Sequence, residues 1–293
     1  MPPSGPAARS TGGPDAVSRP HRRVLHTSDV HLGMHDAGPS GPGSMARGRA
    51  ESEAAFRGVI DVGLREHVDC MVIAGDFFDN ARVSEETLRF AAQQIARIDV
   101  PVLIVPGNHD HVGRGSVYDR IDLEALAPNL TVLRAPAGAL VVYEALGIVV
   151  WGRAHLEHDG AFAPFAGAPA RAAVATAGQW YLGIGHGHYL HPGSGGQPSF
   201  HIRATDLAEL EHDYLALGHW EQQTRVTRGE GTQADAVAAY SGAPDGQATV
   251  LGPSGRVLVV DLHPDGSVRL TSHAVDAGSA PLAHDEIPLL RGM

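Results

Sequence analysis

Five apolar runs in this chain stop abruptly, and each is followed at once by residues able to hold a metal ion. The segments are TSDVHLG (27–33), AGDFFDN (74–80), PGNHDH (106–111), YLGIGHGHY (181–189) and LALGHWE (215–221). In open α/β sheets, ligand sites lie beyond the carboxyl ends of strands, so residues from several strands converge on one crevice. Asp, Asn and His in such a crevice suit a pair of divalent ions that share one carboxylate. Glycine before Asp76, Asn108 and His219 lets the chain turn sharply and brings backbone close to a ligand. Any one fragment arises easily by chance, but the ordered series is specific.

The intervening sequence alternates strand and helix with short loops, which means a sheet covered by helices. A strand at 22–27 breaks at Ser28-Asp29, and a helical stretch follows from about Glu51 to Glu66 after a Gly/Pro/Ser loop at 36–44. The runs 68–74 and 100–105 read as buried parallel strands. Between them, SEETLRFAAQQIARI (84–98) forms an amphipathic helix with Ser84 as N-cap, although Thr87 stands where a full capping box needs Glu or Gln. Short strands are expected at 130–134, 139–143, 147–151, 180–184, 213–217 and 237–241. A hairpin pairs 256–262 with 267–273 around Pro264-Asp265-Gly266. Residues 152–178 read as a surface excursion and 222–236 as a polar loop. Residues 1–22, rich in Pro, Gly, Ser and Arg, are expected to be disordered. One domain spans 23–275, and 276–293 is a C-terminal tail.

Composition removes several mechanisms. All 22 basic residues are arginine, which excludes Schiff-base and P-loop lysines. The single Cys70 excludes a disulfide framework and a cysteine-based zinc cluster, and it is compatible with a reducing compartment. A formal charge of −11 argues against binding nucleic acid mainly by bulk electrostatics. The 18 histidines are dispersed rather than clustered as in a tag, and histidine is the commonest metal ligand. No apolar run approaches the roughly 18 residues of a membrane span, and none resembles a signal peptide, so a cytoplasmic protein is the default.

The motif series resembles the calcineurin-like metallophosphoesterase superfamily, and within it the SbcD-type DNA-repair exonuclease subunit. SDVHLG, VDCMVIAGDFFDNARVSEETLRFAAQQI, VPVLIVPGNHDH and YLALGHW carry the resemblance, together with AAYSGAPDG, in which Ala243 replaces the family's serine. The resemblance covers 23 to about 274 and implies an α/β sandwich of two mixed sheets flanked by helices. It implies two divalent metal ions, Mn²⁺ first, with Mg²⁺, Fe or Zn²⁺ as alternatives. Asp29 and His31 would bind the first ion, Asp76 would bridge both, and Asn108, His186 and His219 would complete the second. His109 would stabilise the transition state or protonate the leaving oxygen, and Asp110 would orient His109 through a hydrogen bond. Asp79 and Asn80 are expected to hold the loop rather than touch metal.

One departure stands out. The family ends its last motif G-H-x-H, whereas here Glu221 occupies the place of the final histidine. Glu221 either binds the first ion through oxygen, binds it through water or not at all, or marks a lost site; His188 or His191 could compensate. His186 is favoured over His188 because the strand 180–184 ends directly before it. The remaining histidines, His155 among them, have no motif context, and Trp220 is a core or rim aromatic that could also line the substrate cleft.

The expected activity is hydrolysis of a phosphodiester by a metal-activated hydroxide, with DNA or another nucleic acid as substrate. The resemblance also implies an SbcC-like ATPase or a second copy, as a homodimer, for partner. Two alternatives stay open: a phosphodiesterase of small or cyclic nucleotides, and a non-catalytic scaffold with an impaired first metal site.

Overall fold

The structure, a computed structural model, describes residues 18–34, 49–157, 159–190, 200–227, 236–245, 255–276 and 280–290. The expected loop at 36–44, His191 and residues 1–17 lie outside them. In chain order the elements are β1 (Arg22–Thr27), α1 (Arg49–Arg65), β2 (Cys70–Ala74), α2 (Glu85–Ile95), β3 (Val102–Val105), α3 (Leu123–Leu126), β4 (Leu130–Val132), β5 (Ala139–Tyr143) and β6 (Ile148–Gly152). They continue as α4 (Arg171–Val174), β7 (Trp180–His186), β8 (His188–Leu190), β9 (His201–Arg203), α5 (Ala204–Glu209) and β10 (Tyr214–Gly218). The last are β11 (Thr224–Thr227), β12 (Ala236–Tyr240), β13 (Arg256–Leu262), β14 (Val268–Ala274) and β15 (Leu289–Leu290).

Among the described residues, one sheet runs β14-β13-β1-β2-β3-β4 and a second runs β15-β11-β12-β10-β7-β6-β5. Both are mixed. In the first sheet β1, β2, β3 and β4 are parallel while β13 is antiparallel to β1; in the second, β6, β7, β10 and β12 are parallel. The period of two along each strand explains how the sheets stack. Cys70, Val72 and Ala74 of β2 face the second sheet, where they meet Val150, Leu182 and Ala216. Met71 and Ile73 point the other way, toward Phe56 and Val59 of α1 and Leu88 of α2. With both faces covered, β2 and β3 have no polar position, which is why they read as continuous apolar runs. This is the two-sheet sandwich that the resemblance implies.

Ser84 caps α2, its Oγ accepting from the backbone N–H of Thr87 at 3.1 Å. Three regions differ from the sequence reading. The 222–236 segment contains β11, and its Arg225 is fully buried, with Nε donating to Ile287 O at 3.0 Å. Residues 280–290, expected as a tail, return to the sandwich: β15 pairs with β11 and Ile287 enters the core between the sheets. At the other end, Pro20 O accepts the Trp180 indole N–H at 2.7 Å, so residues 18–22 pack rather than trail. The excursion at 152–178 also gives buried anchors, Phe162 and Phe165. Among the described residues, no helix is long and apolar enough to cross a membrane.

Candidate metal centre

The carboxyl ends of β1, β2, β3, β7 and β10 all point to one edge of the sandwich, in the seam between the two sheets. The residues just past those ends leave the extended conformation sharply. Asp29, His31, Asp76 and His219 adopt positive φ values of 52°, 49°, 50° and 103°. Residues with a Cβ seldom occupy that region, and such strain collects at functional sites because the surrounding fold enforces it. Asp29 N donates to Gly75 O at 3.1 Å and His31 N to Asp76 O at 3.0 Å, lacing the β1 and β2 exits together. Two glycines make the crowding possible. Gly75 has φ +83°, and a Cβ there would lie 2.2 Å from His186 Nδ1; one at Gly107 would lie 2.2 Å from the Asp76 carboxylate.

Asp76 sits at the centre. One carboxylate oxygen accepts the His109 backbone N–H at 2.9 Å, and the other lies 3.1 Å from His186 Nε2 and 4.0 Å from His31 Nε2. His186 Nδ1 lies 2.9 Å from Ala74 O, and a carbonyl can only accept, so Nδ1 carries the proton. Nε2 is thereby aimed at Asp76 and at Asn108 Oδ1, 3.1 Å away. A metal-ligating histidine typically fixes its outer nitrogen in this way. The His219 backbone N–H donates to both Asp29 oxygens, at 3.2 and 3.0 Å, and its ring lies 5.3 Å from that of His186.

The electrostatics describe a site that attracts positive charge. Burial pushes the Asp29 carboxyl up, with Asp76 adding to the rise against the opposing pull of His186. Burial acts on Asp76 in the same direction, but His186 and His31 outweigh it and hold that carboxyl below its ordinary range. Burial alone would depress His186; Asp76 and Asp29 reverse this and lift it to about 9. His219 is lowered to about 3 by burial and by the neighbouring His186. Two buried carboxyl groups among imidazole and amide donors form a donor set suited to divalent cations. Two groups place ligand atoms within 4.8 Å of one another: Asp29, His31 and Asp76; and His31, Asp79 and His109.

The geometry bears on several of the sequence expectations. Asp110 does not orient His109: its carboxylate accepts Phe77 N at 2.9 Å, Phe78 N at 3.2 Å, Gly107 N at 2.7 Å and the Tyr118 hydroxyl at 2.7 Å. It therefore ties the β2 and β3 exits together from below. His109 is instead held by Asp79, whose carbonyl lies 2.9 Å from Nδ1, while its exposed ring packs edge-on against His31. Glu221 belongs to neither candidate group; it is exposed, beyond the turn at His219. His188 is engaged by Trp220 rather than by the buried donors, whereas His186 is placed among them. Sequence reasoning passed over His155, which is fully buried and lies 2.8 Å through Nε2 from His186 O. No spacing marks it, because its partner is a backbone atom 31 residues away.

A family model described as calcineurin-like phosphoesterase matches residues 22–222. The chain belongs to this family. Calcineurin-like phosphoesterases are hydrolases of phosphoesters that bind divalent metals at a dinuclear site. Among curated relatives, the uncharacterized metallophosphoesterase YhaO of Bacillus subtilis is 28% identical over 67% of this chain and 47% of its own length. The DNA double-strand break repair protein Mre11 of Saccharolobus solfataricus is 30% identical over 30% of this chain and 22% of its own length. The SbcD subunit of the SbcCD nuclease from Rhodobacter capsulatus is 30% identical over 40% of this chain and 28% of its own. The chain thus matches less than half the length of these relatives. A dimetal phosphatase from Danio rerio shares the fold at TM-score 0.53 and 12% identity, covering 92% of this chain and all of its own.

Proposed function

We propose that this calcineurin-like phosphoesterase is a phosphodiesterase of nucleic acid, with DNA the favoured substrate and Mn²⁺ the favoured metal. The observation that carries the reading is the convergence of Asp29, His31, Asp76, Asn108, His186 and His219 from five strand ends, with exposed His109 at the rim. The likeness to a break-repair protein and a nuclease subunit supports the choice of nucleic acid.

Asp29 and His31 would hold one ion, Asn108, His186 and His219 the other, and Asp76 both. Two such ions, when bound, lower the pKa of a shared water and neutralise phosphoryl oxygens. The remaining chemistry falls to the chain itself. The Asp79 carbonyl accepts the His109 Nδ1–H and fixes the ring, which would leave Nε2 free to face the substrate. From there it stabilises charge on the leaving oxygen or protonates it. The Asp110 clamp and the His219–Asp29 contact keep the strand exits at fixed spacing, which orientation-dependent catalysis requires.

The formal charge of −11 favours a second reading with the same chemistry, a small nucleotide phosphodiester as substrate. The test is hydrolysis of bis-(p-nitrophenyl) phosphate, single-stranded DNA and a cyclic nucleotide with Mn²⁺, with Asp76→Ala as control. Metal-dependent cleavage of DNA that the control lacks supports the nuclease. Cleavage of the cyclic nucleotide alone selects the second reading, and no turnover on any substrate overturns both in favour of a binding role.

A further inference from the structure

Trp220 follows His219 directly and is only half-buried, whereas Trp151 and Trp180 are buried. Its position is unusually well fixed. The indole N–H donates to His188 Nδ1 at 2.9 Å, and the ring lies over Tyr240 with centroids 4.7 Å apart and planes 15° from parallel. Tyr240 is itself fully buried, its hydroxyl donating to Gly187 O at 2.7 Å and accepting from Tyr189 N at 2.9 Å. His188 in turn lies edge-on to Trp220 and His219, at 5.2 and 6.0 Å between ring centroids. One face of the indole is therefore covered and its single polar atom is satisfied. The rest of the half-buried ring is carbon, and the residue adjoins His219 of the candidate metal centre in sequence.

We propose that Trp220 is a stacking platform for an unpaired base of the substrate nucleotide next to the scissile phosphate. The inference rests on the nucleic-acid reading and narrows it to substrates with unstacked bases. Every base has a π face, and stacking on an aromatic ring is worth about 1–3 kcal/mol per base without selecting sequence. The committed N–H fits that role, because no indole donor is left to read base edges. A rigid backing by Tyr240 and His188 also means that little side-chain freedom is lost on binding. The platform suits a chain with a charge of −11, since stacking adds affinity that phosphate contacts alone would supply weakly.

The experiment compares a single-stranded oligonucleotide with an abasic one of equal length, both cleaved with Mn²⁺ by the wild-type protein, Trp220→Ala and Trp220→Phe. The expected result is a wild-type KM preference for the base-bearing strand that shrinks roughly 5- to 100-fold in Trp220→Ala and is largely restored in Trp220→Phe. An unchanged preference, or an equal loss on both strands, overturns the platform and leaves Trp220 a structural residue. Should Trp220→Ala fold poorly, fluorescence decides: base-bearing DNA should quench the wild type more than abasic DNA does, and Trp220→Phe should lose that difference. Quenching that persists in Trp220→Phe overturns the inference. A wild-type protein that cleaves neither strand overturns the nucleic-acid reading itself, and the platform falls with it.

Discussion

The hydroxyl of Ser241 lies 2.8 Å from that of Ser28, which donates to the Asp29 carboxylate at 2.5 Å. Ser241 Oγ also lies 3.2 Å from the Gly242 carbonyl, so its one proton is shared between Ser28 and that acceptor. Both serines are fully buried. Asp29, the proposed metal ligand, is thus backed by a two-hydroxyl chain reaching from the end of β12 across to β1. Partners of this kind are worth about 10- to 100-fold in metal affinity. Ser241→Ala should raise the Mn²⁺ concentration for half-maximal activity by about tenfold, read by metal titration, while thermal stability falls by only about 1 kcal/mol. An unchanged titration would mean that Ser28 and the His219 backbone N–H orient Asp29 without help from Ser241.

Asp110 makes a different prediction from the one its place in the GNHDH motif suggests. It collects three backbone N–H groups and the Tyr118 hydroxyl in a buried pocket. Asp110→Asn would turn an amide donor toward donors, and hydrogen bonds to a charged group are worth about 1.5–3 kcal/mol. Urea unfolding should show a loss of that size, with Tyr118→Phe costing about 1 kcal/mol. A variant of unchanged stability but reduced kcat would restore a direct link from Asp110 to His109.

What the sequence made legible was the part whose signal is local. A strand end and the polar residues after it lie within a few positions in TSDVH, AGD and PGNHD, so where Asp29, His31, Asp76 and Asn108 stand on their elements could be read directly. The parts that escaped depend on pairing between distant segments. β11 reads Thr-Arg-Val-Thr, with no apolar run, and it forms by pairing with β12 on one side and β15 on the other. Arg225 is tolerated inside because the Ile287 carbonyl meets its guanidinium. His155 serves a backbone carbonyl, which carries no sequence identity at all. The resemblance put Glu221 at a ligand position; two residues past the positive φ of His219, its side chain is exposed.

Glu221 therefore carries a sharp expectation. Being exposed and outside both candidate groups, it should be dispensable for the metals. Glu221→Ala should bind the same number of Mn²⁺ ions per chain as the wild type, measured by elemental analysis after desalting, and should keep kcat within about twofold, a surface substitution costing little. Loss of one ion per chain would show that the carboxylate swings in to bind it.

His26 links the fold to pH. It is fully buried on β1, with Nδ1 2.8 Å from the Tyr214 hydroxyl, and burial lowers its pKa from 6.5 to about 3 against the opposing pull of the Leu217 backbone. Between those values the unfolded chain binds a proton that the folded chain does not, so stability rises with pH across the window. The contribution is complete above pH 6.5 and is lost progressively as pH falls toward 3. Each pH unit inside the window costs about 1.4 kcal/mol. Urea midpoints measured at pH 7, 6 and 5 should fall more steeply for the wild type than for His26→Gln, which keeps a polar partner for Tyr214 but cannot titrate. Parallel pH profiles for the two proteins would show that His26 takes up its proton without leaving the fold.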